Sequence, residues 1–274
     1  MPEGDTLHTL AIALDRWMRG LRVDEVYLEG RPLEELVGRC IERVRARGKH
    51  LVIELDDGTR LRTHLAMTGA WHRYSIGEPW EHPKTAASLI LRVGSDDYVC
   101  FRAAEVEVYL PGSLAELALD RRLGPDLAHE APDFEQAVDN ALASRHPTLG
   151  DVLLEQRVAC GLGNVYKSEL AFLAGLDPRT PAAAIDRTTW LTIFHTGHEL
   201  LRRNLAGGPR VTRRESELND ERLWVYGRDD RPCHRCGTRL IGARTGRSDR
   251  WSTWCPACQT GLEELGGELN TKSC

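Results

Sequence analysis

A chain of 274 residues with 41% hydrophobic content is long enough for one large domain or two smaller ones. No apolar run approaches the roughly 18 residues a membrane span needs, and a start carrying Glu3 and Asp5 is unlike a signal peptide, so the chain reads as cytoplasmic with no membrane partner. The net charge of −5 opposes a polyanionic partner only on average: residues 202–274 carry 14 Lys/Arg against 10 Asp/Glu, leaving 22 against 31 before them, and local fields decide nucleic-acid binding.

The chain opens Met-Pro-Glu-Gly. A small second residue permits removal of Met1, which would turn Pro2 into a free secondary amine beside the Glu3 carboxylate. A terminal amine titrates near ~7.7–8.0, so roughly a tenth or more of it is nucleophilic at neutral pH, against about one part in a thousand for lysine. A secondary amine condensing with a sugar aldehyde carbon gives a cationic iminium that acidifies the neighbouring C–H. By itself the dipeptide is equally an ordinary proline, a residue that makes up about 5% of proteins.

Leu7, Leu10, Ala11, Leu14 and Trp17/Met18 recur at helical spacing, and Gly20 is a stop, which predicts a helix over Asp5–Arg19. Short β-like runs follow at Cys40–Val44, His50–Leu55, Arg60–Leu65, Ser88–Val93 and Tyr98–Arg102, with Asp56-Asp57-Gly58 and Gly94-Ser95-Asp96 as hairpin turns. They predict an antiparallel β-sandwich. From Phe134 the period becomes helical: Phe134–Ala143, Thr148–Gln156, Asn164–Ala174 and Thr188–Asn204. Gly161-Leu162-Gly163-Asn164 interrupts that pattern. It is either a plain helix–helix connection or a turn whose following helix start grips a phosphate.

Gly207-Gly208-Pro209 is the clearest break before the cysteine-bearing module. The basic surplus, from Arg202-Arg203 through Arg210, Arg213 and Arg214 to Arg250, is either a nucleic-acid face or a solvated one. Cys40, Cys100, Cys160 and Cys274 are scattered, whereas Cys233, Cys236, Cys255 and Cys258 form C-x2-C-x18-C-x2-C. Two tight pairs around an 18-residue insert suit a tetrahedral ion on a two-stranded hairpin. Four thiolates favour one structural Zn2+ over a redox or iron–sulfur role.

Met-Pro-Glu-Gly, Leu153-Leu154-Glu155-Gln156-Arg157 with Gly161-Leu162-Gly163-Asn164-Val165-Tyr166, and Val225-Tyr226-Gly227-Arg228 before the cysteines together resemble the formamidopyrimidine-DNA glycosylase and endonuclease VIII family over nearly the whole chain. The resemblance implies an α+β multidomain protein: an N-terminal helix with an antiparallel β-sandwich in the catalytic domain (1–125), a helix–two-turns–helix DNA-binding domain (126–224), and a C-terminal zinc-ribbon finger and tail (225–274). DNA would lie in the cleft between the lobes.

Each matching position then carries an implied role. Pro2 attacks C1′ of the damaged nucleotide, and Glu3 acts as general acid or base on the sugar. Lys49, in Arg47-Gly48-Lys49-His50, contacts phosphate and assists elimination; as a lone residue it reads as a solvated strand end. Asn164 and Arg122 contact the DNA backbone, and Arg250, five residues before Cys255, clamps the phosphates flanking the lesion, for which a planar guanidinium is suited. His64-Leu65-Ala66-Met67-Thr68-Gly69 resembles the loop that fills the gap left by a flipped base, with His64 and Met67 against DNA; Met67 is equally a core residue of a β-rich domain. Glu169 matches a glutamate near the lesion pocket, or else makes a structural salt bridge.

Departures within the family bear on substrate. Cys100-Phe101-Arg102-Ala103-Ala104-Glu105 stands where the formamidopyrimidine branch has Asp-Pro-Arg-x-Phe-Gly, and Asp5-Thr6 stands where a Glu is often found. Gly4 and Glu107-Val108-Tyr109-Leu110 sit closer to the endonuclease VIII branch, and Gly207–Leu223 is short for a purine-capping loop. The expectation is a monomeric bifunctional glycosylase and abasic-site lyase that removes oxidised pyrimidines from damaged DNA by β,δ-elimination. A non-catalytic damaged-DNA binder on the same scaffold is the alternative.

Overall fold

The protein, seen in a computed structural model, is described over residues 2–113, 122–213 and 221–260. It divides into two compact units, Met1–Arg122 and Leu123–Cys274.

The first unit begins with helix α1 (Gly4–Met18), one residue earlier at each end than the spacing predicts. Leu7, Ala11, Leu14 and Met18 are its buried stripe. Among the described residues nine strands follow. β1 (Val23–Leu28), β2 (Arg31–Pro32), β6 (Ala70–Ser75), β7 (Ala87–Val93) and β8 (Asp96–Phe101) make one antiparallel sheet in the order β2-β1-β7-β8-β6. β3 (Ile41–Arg47), β4 (His50–Leu55), β5 (Arg60–His64) and β9 (Glu105–Tyr109) make the other in chain order. Leu51, Ile53 and Leu61 from one sheet and Val26, Leu89, Leu91, Val93, Tyr98 and Cys100 from the other share a core with α1.

The sandwich is thus as the sequence predicts, with strand ends shifted by up to three residues, the largest at the end of β3. β1, β6 and β9 were not among the predicted runs; Ala-Trp-His-Arg-Tyr-Ser puts polar side chains on both faces of β6, and Glu-Val-Glu-Val-Tyr carries only two aliphatic residues on β9. β8 is buried at every position. Its inward residues Tyr98 and Cys100 meet the main core, while Val99 and Phe101 on the outer face meet Tyr74, Trp80 and Ala87 in a second cluster.

The second unit holds helices α2 (Phe134–Leu142), α3 (Leu149–Leu154), α4 (Asn164–Leu173) and α5 (Arg187–Arg203), followed by strands β10 (Ile241–Thr245) and β11 (Arg250–Trp254). The side chains of Asp133, Thr148 and Asp186 cap the starts of α2, α3 and α5, each accepting an amide N–H. Trp190, Phe194, Tyr166 and Leu170 centre the helical core. Residues 164–172 of α4 are all buried, so any charge on that helix has to be partnered inside the protein. The protein is therefore a strand sandwich, a helix–two-turns–helix domain and a four-cysteine finger, and no helix among the described residues is long and apolar enough to cross a membrane.

Candidate nucleic-acid interface

In the first unit the candidate residues gather at one end of the four-stranded sheet. Arg47 pairs with His50, His50 with His64 and His64 with Glu105, a single row across β3, β4, β5 and β9. Gly48-Lys49 is the two-residue loop at the tip of the β3–β4 hairpin, a Gly-X sequence suited to that turn. Lys49 and His64 therefore share an edge. Just beyond, Leu65 accepts the Gly69 amide at 2.9 Å. Ala66 takes φ 49°, a strained conformation for alanine, and Met67 at the loop tip is 64% exposed. The core reading of Met67 is excluded.

The helix α1 runs antiparallel to β3. Gly20 donates to the Ile41 carbonyl at 2.8 Å, and Asp15 Oδ1 accepts the Val44 amide at 2.7 Å. From Asp15 back to Gly4 is about 16 Å at a helical rise; from Val44 on to Arg47, where β3 ends, is about 10 Å along a strand. The start of α1, with Pro2 and Glu3, therefore lies toward the end of the sheet that carries the Gly48-Lys49 turn. Pro2 is half-buried and Glu3, the residue before α1, is fully buried, where the positive end of the helix dipole favours a carboxylate.

Behind Lys49 lies a charge network that sequence reasoning missed. Arg62 is 5% exposed and reaches Glu105 at 2.7 Å and, through two nitrogens, Glu107. Its Nη1 is 2.7 Å from His50 Nδ1. A guanidinium only donates, so Nδ1 is the acceptor and the proton of neutral His50 sits on Nε2. Burial, then the charges of Arg62, His64 and Lys49, push the His50 pKa down to about 3. Burial lowers His64 too, against the pull of Glu105. Burial alone would raise Glu107, but hydrogen bonds from Tyr109 and Arg62 hold it below the ordinary carboxylate range. The site edge thus presents Lys49 beside two neutral imidazoles. The signal available in sequence was the repeated spacing of charge at 60, 62, 105 and 107, legible only once β5 and β9 are known to be neighbours.

In the second unit the Gly161–Asn164 turn is locked by a residue of the same motif. Gln156 Nε2 donates to the carbonyls of Leu154 and Leu162 at 2.8 and 3.0 Å, and its Oε1 accepts the Gly161 amide at 3.1 Å. Gly161 takes φ 105°, so the turn requires glycine there. Asn164 opens α4, 9% exposed, and its Nδ2 donates to the Trp251 carbonyl at 2.8 Å. Lys167, one turn on and 1% exposed, donates to the same carbonyl at 2.9 Å. Arg250, the neighbour of Trp251 at the start of β11, is exposed. The hairpin tip has a second anchor: Asp151 Oδ1 accepts the Arg247 amide at 2.8 Å, and it packs so close to Gly246 that a Cβ there would meet it at 2.3 Å.

Among the described residues, Glu169 is held by hydrogen bonds and not by the salt bridge considered from sequence. Its buried carboxylate accepts the amides of Trp224, Val225 and Tyr226 at 2.8–2.9 Å and the Thr212 hydroxyl. Arg228 is likewise inward, donating to Glu221 and to the carbonyls of Trp224 and Pro232. Arg122 is exposed, at the end of the first unit. Phe101, 1% exposed, is core rather than wedge. Residues 214–220 of the Gly207–Leu223 segment lie outside the described residues.

The sulfur atoms of Cys233, Cys236, Cys255 and Cys258 all lie within 4.8 Å of one another, with Cys233–Cys258 at 4.0 Å and Cys236–Cys255 at 3.5 Å. Tetrahedral bonds of about 2.3 Å from sulfur to a metal give separations of about 3.8 Å. The cluster fits a metal ion, with β10 and β11 as the predicted hairpin between the pairs.

A strand sandwich behind a leading helix, a helix–two-turns–helix domain and a cysteine-held finger define the class of DNA-repair glycosylases. The formamidopyrimidine-DNA glycosylase N-terminal domain matches residues 1–104, and the corresponding helix–two-turns–helix domain matches residues 123–215. A Streptomyces coelicolor protein named "Probable endonuclease 8 2" is 35% identical over 95% of each chain. The "DNA-(apurinic or apyrimidinic site) lyase Nei2" of Mycolicibacterium smegmatis is 34% identical over 95% of this chain and 99% of that one. A crystal structure of Lactococcus lactis Fpg with DNA containing N7-benzyl-Fapy-dG superposes with a TM-score of 0.78 at 22% identity, covering 94% of this chain and 100% of that chain. The chain belongs to the formamidopyrimidine-DNA glycosylase and endonuclease 8 family of DNA-repair enzymes.

Proposed function

We propose that this protein is a bifunctional DNA glycosylase and abasic-site lyase that removes oxidised pyrimidines through a covalent Pro2 intermediate. The observation that supports it best is the antiparallel run of α1 along β3, by which the helix start with Pro2 and the buried Glu3 and the turn with Lys49 lie in the same direction. After loss of Met1, the Pro2 nitrogen bonds to C1′ while the bond from C1′ to the base breaks; the base leaves with the electron pair and takes up a proton. Glu3 protonates the ring oxygen as the sugar opens, leaving an iminium at C1′. Loss of a C2′ proton expels the 3′ phosphate, loss of a further sugar proton expels the 5′ phosphate, and water then releases Pro2. Lys49 steadies the departing phosphate in these β,δ-eliminations.

Arg250, Asn164 and Arg122 hold DNA phosphates, His64 adds a neutral donor, and Met67 enters the space vacated by the flipped base, offsetting part of the few kcal/mol of lost stacking. The finger's ion is Zn2+, suited to four thiolates, held by Cys233, Cys236, Cys255 and Cys258 and structural in role. The protein works as a monomer in the cytoplasm on nucleoid DNA. Pyrimidine preference rests on the buried Phe101 and on the Cys100–Glu105 sequence, which offers no wedge of the formamidopyrimidine type. The relatives' names fit the same chemistry, one being an abasic-site lyase.

Borohydride reduction should trap protein whose Pro2 is free on thymine-glycol or abasic DNA, and Pro2→Gly should cut single-turnover base excision at least about 10³-fold with an unchanged Tm. Trapping that survives acetylation of the terminus, or full repair by protein that retains Met1, would overturn the mechanism. Tight damage-specific binding without any excision would instead mark a non-catalytic binder.

A further inference from the structure

We propose that His72, Glu81 and His82 form a second metal site, for a divalent transition ion such as Zn2+, Co2+ or Ni2+, on the outer face of the five-stranded sheet. His72 lies on β6, and Glu81 and His82 lie on the strap of residues 76–86 that runs from β6 to β7. One nitrogen from each imidazole and one carboxylate oxygen all fall within 4.8 Å of one another.

The arrangement is built by packing, not by loop chance. Phe101, almost fully buried, receives both imidazoles edge-on, His72 at 5.3 Å and 87° and His82 at 5.0 Å and 75°. The two histidine rings are 5.5 Å apart. Trp80 covers the same Phe101 at 5.9 Å and stacks on Tyr74, which sets the strap against the sheet. The Tyr74 hydroxyl accepts the Glu81 amide at 3.2 Å and lies 3.0 Å from His72 Nδ1. Glu81 Oε2 is 3.6 Å from that same nitrogen.

Bonds of about 2.0–2.1 Å to nitrogen and oxygen require tetrahedral ligand separations of about 3.4 Å. Closure shortens separations of up to 4.8 Å by about 1.4 Å, and the movement falls on Glu81, 71% exposed, and on His82. Two imidazoles with one carboxylate suit a borderline transition ion and not Mg2+ or Ca2+, which want oxygen. Three protein ligands leave a fourth position for water. The ion would pin the strap to β6 beside a cleft of 790 Å³ lined in part by Trp80, His82, Lys84 and Arg92. This site shares no residue with the proposed reaction or with the cysteine cluster, so it stands or falls separately from them.

The test uses the full chain with its cysteine cluster already filled. Equilibrium dialysis against Zn2+ should give a second bound equivalent per chain, and His82→Gln should lose that equivalent while keeping the first. Co2+ taken up second should show d–d absorption without thiolate charge transfer, which separates imidazole and carboxylate ligation from sulfur. Excess Zn2+ should raise the Tm of the parent by several degrees over His82→Gln. His82 and Glu81 are on the strap, so a Glu81→Ala variant gives the same reading if His82→Gln alters packing against Phe101. A parent that binds only one equivalent, or variants that still bind two, would overturn the site.

Discussion

The two units hold their candidate residues by different means. In the first, Pro2, Glu3, Lys49 and His64 sit at the ends of regular elements, and their positions follow from strand register and from one helix lying along one strand. In the second, Arg250 sits on a two-stranded hairpin with little core of its own, Ser252, Thr253 and Trp254 being the buried residues of its strands. That hairpin is held by buried polar side chains: Asn164 and Lys167 on the Trp251 carbonyl, Asp151 on the Arg247 amide, Glu169 on the chain leading into it. Small modules that cannot bury enough apolar surface substitute a metal and directed hydrogen bonds. On the proposed mechanism, damage to the first site should act on chemistry, and damage to the second on structure.

Metal removal tests that contrast with the largest effect. A chelator should withdraw on the order of 10 kcal/mol of local stability from the finger. Amide exchange should then show β10 and β11 unprotected while β4 and β5 stay protected; equal loss in both sheets would end the distinction. Next in size is Glu169→Ala, which strands three buried amides and a hydroxyl. About 3 kcal/mol or more should be lost in denaturant melts, with DNA affinity falling in parallel, whereas trapping per bound complex should be unchanged.

His50 sharpens the comparison on the other side. Its pKa lies near 3 in the native protein against about 6.5 unfolded, so between those values the unfolded chain binds the extra proton. Stability is therefore complete above pH ~6.5 and declines as pH falls toward 3. His50→Gln keeps an acceptor for Arg62 and removes the titration. At pH 5 it should recover up to about 2 kcal/mol relative to the parent, with no gain at pH 8; an equal change at both pH values would rule out a native neutral imidazole. Met67→Ala has the smallest expected effect on folding, within about 0.5 kcal/mol because the side chain is exposed. Excision from duplex DNA should fall severalfold while excision from single strands is unaffected, since only the duplex demands flipping. Equal losses on both would remove the wedge role.

Much of the molecule was legible from residue pattern. The apolar stripe of α1, the alternation of β7 and the helical period after Phe134 are local signals, because side chains three or four apart share a helix face and those two apart share a sheet face. The cysteine spacing was equally plain. The fate of Met67 was not, since neither its loop nor the Ala66 conformation is encoded by period. Glu169 and Lys167 were opaque for a related reason: a charge on a helix reads as solvated until every face of that helix is known to be covered.

What the sequence by itself determined was the set of reactive and metal-binding residue types, their order, and the family to which their spacing belongs. Only tertiary structure decided which of them meet. Register across four strands joins residues 40 to 60 positions apart, as with Arg62 and Glu107. The pairing of a helix start with one carbonyl of a distant hairpin turns Asn164 and Lys167 into struts for Arg250. Contacts of that kind depend on the path of the backbone between them, and no local periodicity carries that information.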